Sequence, residues 1–244
     1  MYPVICKIGP FTVYSYGLML AIAFMVSLYL INRKAKDAGL DSQKIYNFAF
    51  IVLLFGILGA RTLYVILHFV YYIDTPAEVI MLHRGGLSWF GALFFGIAAA
   101  VIYIKKKGLS PFKTLDLIIP FVALGQAIGR IGCLLNGCCY GRPSAFGLYF
   151  NIHNAVLIPT QIYSSLSLLA IFLILRKIQD STHQDGEVFF IYLILYSIMR
   201  FLIEFWRAEH EIVAFGLTVF QMISLIIFFL SIWGFVNIKI KRSK

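Results

Sequence analysis

Apolar residues fall into seven long runs, at 14–31, 45–72, 87–104, 115–131, 158–175, 188–205 and 217–238, separated by short polar stretches. An α-helix needs about 20 mostly apolar residues to cross the hydrocarbon core of a bilayer. The pattern therefore predicts an all-α integral membrane protein of seven transmembrane helices, organised as a single transmembrane domain over 1–244. Polar loops at 73–86 and 132–157 are expected on its outer face. The fourth run is the least regular, because Pro120, Gly125, Gly129 and Gly132 interrupt it. Residues 1–13 hold one lysine and lead into the first run without a small-residue cleavage site, so the first span is expected to insert the chain and stay with it.

Composition strengthens this picture. Of 244 residues 61% are hydrophobic and 13% charged, against roughly half and a quarter in soluble domains. The net charge of +10 would suggest nucleic acid in a soluble protein. Here the basic residues cluster between apolar runs, which is the positive-inside pattern of cytoplasmic loops, and no nucleic-acid partner is expected. With the N-terminus outside and the C-terminus cytoplasmic, the cytoplasmic segments collect Arg33, Lys34, Lys36, Lys44, Lys105, Lys106, Lys107, Lys113, Arg176, Lys177, Lys239, Lys241, Arg242 and Lys244. The opposite orientation puts all of them on the wrong side.

What remains is Lys7 and six arginines: Arg61, Arg84, Arg130, Arg142, Arg200 and Arg207. Arginine stays charged and presents a planar fork that suits phosphate and carboxylate. Snorkelling at helix ends accounts for Arg84 and Arg142, but poorly for Arg61 and Arg200, which sit among apolar neighbours. Arg200, Glu204 and Arg207 are spaced by four and three, so they share one helical face. A charge at mid-bilayer costs about 2.5–3.5 kcal/mol on insertion scales, so such residues normally face a bundle interior or a wet cavity. An internal ion pair locking helices together is one reading. Counting Arg61 and Arg130 as neighbours, however, four cations face one carboxylate, a balance that an anionic ligand completes.

Residues 129–143 read GRIGCLLNGCCYGRP. Gly129, Gly132, Gly137 and Gly141 permit positive φ and close backbone approach, Arg130 brings charge, and Asn136 brings a donor and an acceptor. A helix end breaking into a re-entrant loop here would cradle a phosphate, provided it lines a protected cavity. Close helix–helix packing is the alternative use of such glycines. Cys133, Cys138 and Cys139 match zinc-ligand spacing poorly. Buried apolar thiols are the simplest reading and a disulfide the alternative, so neither metal nor cofactor is expected. Ahead of the third span, His83-Arg84-Gly85-Gly86-Leu87-Ser88-Trp89-Phe90 offers unpaired N–H groups at a helix start, which attract anions. Tyr14 and Tyr16 stand at the same interface, where an aromatic belt also places tyrosines.

Taken together, these motifs resemble the phosphatidylglycerol–prolipoprotein diacylglyceryl transferases of bacteria over almost the full length. They run in order: Ile8-Gly9-Pro10 with Tyr16-Gly17-Leu18-Met19; Gly59-Ala60-Arg61; Gly85-Gly86-Leu87-Ser88; the GRIG segment at 129–142; Pro159-Thr160-Gln161-Ile162-Tyr163; and Arg200-Phe201, Glu204 and Arg207 followed by Gly216-Leu217-Thr218 and Gln221. The resemblance implies transfer of diacylglyceryl from phosphatidylglycerol to the lipobox cysteine thiol of prolipoproteins. It also implies a multi-pass place in the bacterial cytoplasmic membrane, with the site toward the exterior among membrane lipid. By motif it implies Arg130, Arg200 and Glu204 as catalytic residues. Tyr16, Arg61, Gly86, Ser88, Gly129, Asn136, Gly141, Gln161 and Arg207 would bind substrate. Two positions depart from the family. Phe90 stands where a histidine serves as proposed base, and Cys133 and Cys138 replace an asparagine and a glutamate of the signature. His83, Glu204 or a lipid phosphate oxygen are then the groups left to take the thiol proton. A transferase-like enzyme with another acceptor, and a lipid or anion transporter, are the competing readings. A transporter would be supported by internal repeats, which the sequence lacks, and a retinal receptor is disfavoured because 217–238 holds no lysine.

Overall fold

The computed structural model describes residues 1–9, 11–37, 39, 41–81, 85–208 and 212–242. It is built on helices α1 (Ser15–Asp37), α2 (Ser42–Leu67), α3 (Phe69–Asp74), α4 (Trp89–Lys106), α5 (Pro111–Asn136), α6 (Thr160–Gln179), α7 (Glu187–Glu204) and α8 (Val219–Arg242), with a 3-10 turn at Pro76–Ile80. Among the described residues, six helices are long and apolar enough to cross a membrane: α1, α2, α4, α5, α6 and α8. The seventh long helix, α7, has 18 residues and carries Glu187, Arg200 and Glu204. The chain forms two compact units, Met1–Ile31 with Phe112–Lys244, and Asn32–Pro111.

In the larger unit the core lies where α5, α6 and α7 meet, through Ile119, Ala123, Leu168, Leu175, Val188 and Ile203. The irregular fourth run is in fact one unbroken helix, and the most buried of the candidate spans. Proline in a helix interior removes an N–H and orphans the carbonyl four residues back. Here that carbonyl, on Asp116, accepts from Gln179 Nε2 at 2.7 Å, so Pro120 is accommodated by a donor on α6. The Asp116 carboxylate in turn accepts from the backbone N–H groups of Gly186 at 2.6 Å and Phe189 at 2.8 Å, capping the start of α7 from across the bundle.

Gly129 and Gly132 are helical and do not open a re-entrant loop. A Cβ at Gly132 would lie 2.9 Å from Met19 Cβ, and one at Gly129 3.6 Å from Leu20 Cδ2, so these glycines let α1 approach α5. Ser27 Oγ donates to Phe121 O at 2.9 Å on the same seam.

Among the described residues three short hairpins accompany the helices: β1 (Val4–Ile8) with β2 (Phe11–Tyr14), β3 (Pro143–Phe150) with β4 (Ala155–Leu157), and β5 (Ile212–Ala214) with β6 (Leu217–Thr218). They precede α1 and join α5 to α6 and α7 to α8.

In the smaller unit α2 and α4 touch backbone to backbone. A Cβ at Gly59 would fall 2.7 Å from Gly91 O, and one at Gly91 2.3 Å from Gly59 O, the small-residue contact by which helices approach in lipid. The second apolar run ends as a helix at Leu67. His68 leaves helical geometry at φ −116° and ψ 33°, and the run continues as the separate α3.

Candidate functional site

The predicted site residues divide between the two units. In the smaller unit, Arg61 is 6% exposed, and its guanidinium is taken up by backbone carbonyls. Nε donates to Val79 O at 2.8 Å, Nη1 to Gly85 O at 2.7 Å and Gly86 O at 2.9 Å, and Nη2 to Glu78 O. Its cation also lies over the Tyr72 ring, 5.3 Å from the centroid. The sequence reading set Arg61 among the cations awaiting an anionic ligand. Its donors are instead committed to the segment that leads into α4. Gly86 takes φ +78°, and a Cβ there would sit 2.7 Å from Arg61 Nη1, so only glycine lets the guanidinium in. Ser88 caps α4, accepting from Gly91 N at 3.4 Å, and its own N–H donates to Ala60 O at 2.9 Å. His83 and Arg84 lie outside the described residues. Arg61→Lys, with a single ammonium in place of the fork, is expected to leave buried carbonyls unpaired at about 1–3 kcal/mol. Faster proteolysis within 75–88 than in the parent protein is the measurement that checks it.

The larger unit gathers the other charges. Glu204, 1% exposed, places Oε2 2.9 Å from Arg200 Nη1 and 3.9 Å from Arg207 Nε. Its Oε1 accepts from the Thr218 hydroxyl at 3.4 Å, and Thr218 N donates to Gln221 Oε1 at 3.0 Å. The Arg200 guanidinium lies over the Phe220 ring at 4.6 Å, so β6 and the first turn of α8 each hold one member of the pair. Arg130 on α5 is partly buried and within electrostatic reach of Arg200. Among the described residues it makes no hydrogen bond or ion pair. Among the described residues Glu204 thus has two guanidinium neighbours, Arg200 and Arg207, with Arg130 within electrostatic reach of Arg200.

Gly141 is the knot that ties three segments together. Its N–H donates to Ile158 O at 2.8 Å, and Arg142 N donates to Trp206 O at 2.9 Å, in a bridge that pairs Gly141 with Arg207. A Cβ at Gly141 would lie 2.4 Å from Trp206 O and 2.9 Å from Thr160 Cγ2. A side chain has no room at this position. Gly141→Ala is expected to push the segment carrying Arg207 away at about 1–3 kcal/mol of overpacking, read as a lowered midpoint of thermal unfolding in detergent.

The cysteines come together as the spacing did not suggest. Cys133, Cys138 and Cys139 have their Sγ atoms within 4.8 Å of one another. Gly137 at φ +73° and Cys139 at φ +63° reverse the chain just past the end of α5, and Cys138 N donates back to Cys133 O at 3.1 Å. From α6, Gln161 Nε2 donates to Cys138 O at 2.7 Å and Thr160 Oγ1 to Cys139 O at 2.6 Å. Asn136 interacts with the Cys138 thiol, and Tyr16 on α1 lies within electrostatic reach of all three thiols and of Arg130. Hydrogen bonding to the Cys133 and Cys138 thiols, with Arg207 and Arg130 beyond them, pulls the Cys139 thiol well below the usual thiol range.

A further feature had no signal in the sequence. A mostly apolar groove of about 720 Å³ runs between α6 and α7, lined by Tyr163, Ala170, Leu195, Met199, Leu202 and Trp206 among others. Ile171, Met199 and Ile203 belong both to this groove and to the core, so periodicity alone does not separate them.

A family model described as prolipoprotein diacylglyceryl transferase matches residues 3–237. The phosphatidylglycerol–prolipoprotein diacylglyceryl transferase of Clostridium tetani is 37% identical over 249 residues, covering 96% of this chain and 97% of its own. The protein of the same name from Staphylococcus aureus is 33% identical over 251 residues, covering 98% of this chain and 90% of its own.

Proposed function

The chain belongs to the prolipoprotein diacylglyceryl transferase family, and from that premise we propose that it moves the diacylglyceryl group of phosphatidylglycerol onto the lipobox cysteine of prolipoproteins at the outer face of the cytoplasmic membrane. The acceptor sulfur attacks the glyceryl carbon that bears the phosphate. The carbon–oxygen bond breaks, and glycerol phosphate departs with the bonding electrons. A thioether forms, and the phosphate passes from one negative charge to two. The observation that supports this reading is Arg130, a partly buried guanidinium within electrostatic reach of Arg200 that makes no hydrogen bond or ion pair among the described residues. Donors fixed before the reaction stabilise charge as it develops, and they act strongly where water is excluded. Arg130, without a protein partner among the described residues, is the guanidinium we assign to the phosphate. Arg200 is assigned to the leaving oxygen, with Glu204 and Arg207 holding it in place. The groove between α6 and α7 suits the acyl chains of the donor, because it is apolar and reaches Trp206, the residue before Arg207.

Topology supports the same assignment. If α7 spans with the six qualifying helices, and the N-terminus lies outside, the three hairpins and the arginine cluster all fall at outer helix ends, while the lysine clusters stay cytoplasmic. The chain is then one seven-span domain with its site facing the exterior. A charged α7 is tolerated there because Glu204 and Arg200 face the protein interior rather than lipid.

Expression in bacteria depleted of their own transferase tests this reading. Restored lipidation of a resident lipoprotein is the expected result. Failure by a well-expressed, membrane-inserted protein would favour the reading in which the cluster serves a different acceptor.

A further inference from the structure

Among the described residues the arginine cluster provides for the leaving group but holds no uncommitted base for the proton of the acceptor thiol. Arginine is no base, Glu204 is engaged by Arg200, and Phe90 stands where the family carries its histidine. What the chain places beside Arg130 and Arg207 instead is a set of three thiols. We propose that Cys133, Cys138 and Cys139 hold one zinc ion as thiolates, and that its open fourth position binds the acceptor thiol. The second half of this inference rests on the transferase reading; the first does not.

The geometry is close to what the ion requires. Three thiolates on tetrahedral zinc, at about 2.3 Å per bond, have sulfurs about 3.8 Å apart, and the three Sγ atoms already lie within 4.8 Å of one another. Adjacent cysteines rarely turn toward one point. Here Cys139 does so by adopting φ +63°, a region that non-glycine residues enter at a cost and keep only when the surroundings enforce it. Gln161 and Thr160 enforce it by holding the carbonyls of Cys138 and Cys139 from α6. Cys133 comes from the rigid last turns of α5. Soft thiolate ligands select zinc over harder divalent ions. A zinc ion with three thiolates carries one net negative charge, and Arg130 and Arg207 are within electrostatic reach to balance it. Three protein ligands leave a fourth position, which is the pattern of catalytic rather than structural zinc.

The chemistry balances. Zinc binding releases the three protein thiol protons to water. The acceptor thiol enters the fourth position and releases its own proton to water, since a coordinating thiol is deprotonated by the ion. Its sulfur then attacks the glyceryl carbon, the carbon–oxygen bond breaks, and the electron pair leaves with glycerol phosphate. The product thioether is neutral and a weaker ligand, so it departs and reopens the position. In this way the trio does the work of a base and raises the local concentration of acceptor thiolate.

The test uses the full-length protein in detergent, reduced and stripped with chelator, and titrated first with cobalt(II) alone. A thiolate-to-cobalt charge-transfer band saturating at about one ion per chain, displaced by zinc, is the expected result. The band should vanish in the Cys133→Ser, Cys138→Ser, Cys139→Ser triple variant and survive in Cys138→Asp, which keeps a ligand. Transfer by stripped wild-type protein should fall about 100-fold, the usual size of a lost proton-handling group, and return with zinc. A wild-type protein that gives no band, or whose native mass and thiol count show a disulfide within the trio, would overturn the zinc site. Full transfer by stripped protein would overturn the role in acceptor activation. A protein that binds cobalt yet transfers nothing with zinc restored would overturn the transferase reading, and with it the acceptor role, while the ion site would stand.

Discussion

Replacing Arg130 by alanine is expected to cut diacylglyceryl transfer by about 10²–10³-fold, the usual cost of removing one preorganised donor from a developing anion, while the protein still inserts and folds. Both halves of that expectation come from the same observation. Among the described residues Arg130 makes no ion pair or hydrogen bond, so alanine leaves no protein group unsatisfied, and stability should change little. What is lost is a charge held ready for the phosphate. Arg130→Lys should recover only part of the rate. An ammonium restores the charge but not the planar fork that engages two phosphate oxygens at once. The comparison is made by single-turnover transfer with each variant in vesicles, together with its midpoint of thermal unfolding.

Arg200→Ala should behave differently, losing both activity and stability. Glu204 is 1% exposed, and Arg200 is its closest partner at 2.9 Å. Removing one member of a buried pair strands the other, at about 3–5 kcal/mol. The double variant Arg200→Ala, Glu204→Gln separates the two effects. With the stranded carboxylate neutralised, most of the lost stability should return, whereas transfer should remain about 10²-fold down. Recovery of transfer in the double variant would mean that Arg200 serves the fold and not the leaving group.

Much of the fold was legible because burial in lipid leaves a coarse signature. Runs of apolar residues locate α1, α2, α4, α5, α6 and α8, and the same runs locate α7. The errors fall where a local rule was overridden from a distance. Pro120 reads as an interruption, yet Gln179, some sixty residues on, supplies the donor its helix lacks. Gly129 and Gly132 read as a loop over a phosphate, yet they are packing positions against α1. The hairpins at 4–14, 143–157 and 212–218 are too short to stand out against long apolar runs.

The site divides in the same way. The spacing of Arg200, Glu204 and Arg207 fixes a common face within one helix and its continuation, so their convergence was readable. Arg61 carries the same charge but reaches backbone carbonyls that no side-chain pattern announces. The cysteine trio was hidden for a related reason. Ligand spacing rules assume ordinary turns, and here Gly137 and Cys139 both take left-handed φ to bring a C-x₄-C-C segment to one point.

The central claim is that Arg130 and Arg200 serve an anionic phospholipid whose headgroup leaves as a more highly charged phosphate. Incubating the purified protein with a lipobox peptide in phosphatidylglycerol vesicles, and weighing the peptide by mass spectrometry, tests it directly. The account predicts a peptide heavier by one diacylglyceryl group on its cysteine, with one glycerol phosphate released per peptide, and no modification in vesicles of phosphatidylcholine alone. An unmodified peptide, or one modified equally well from the zwitterionic lipid, would contradict it.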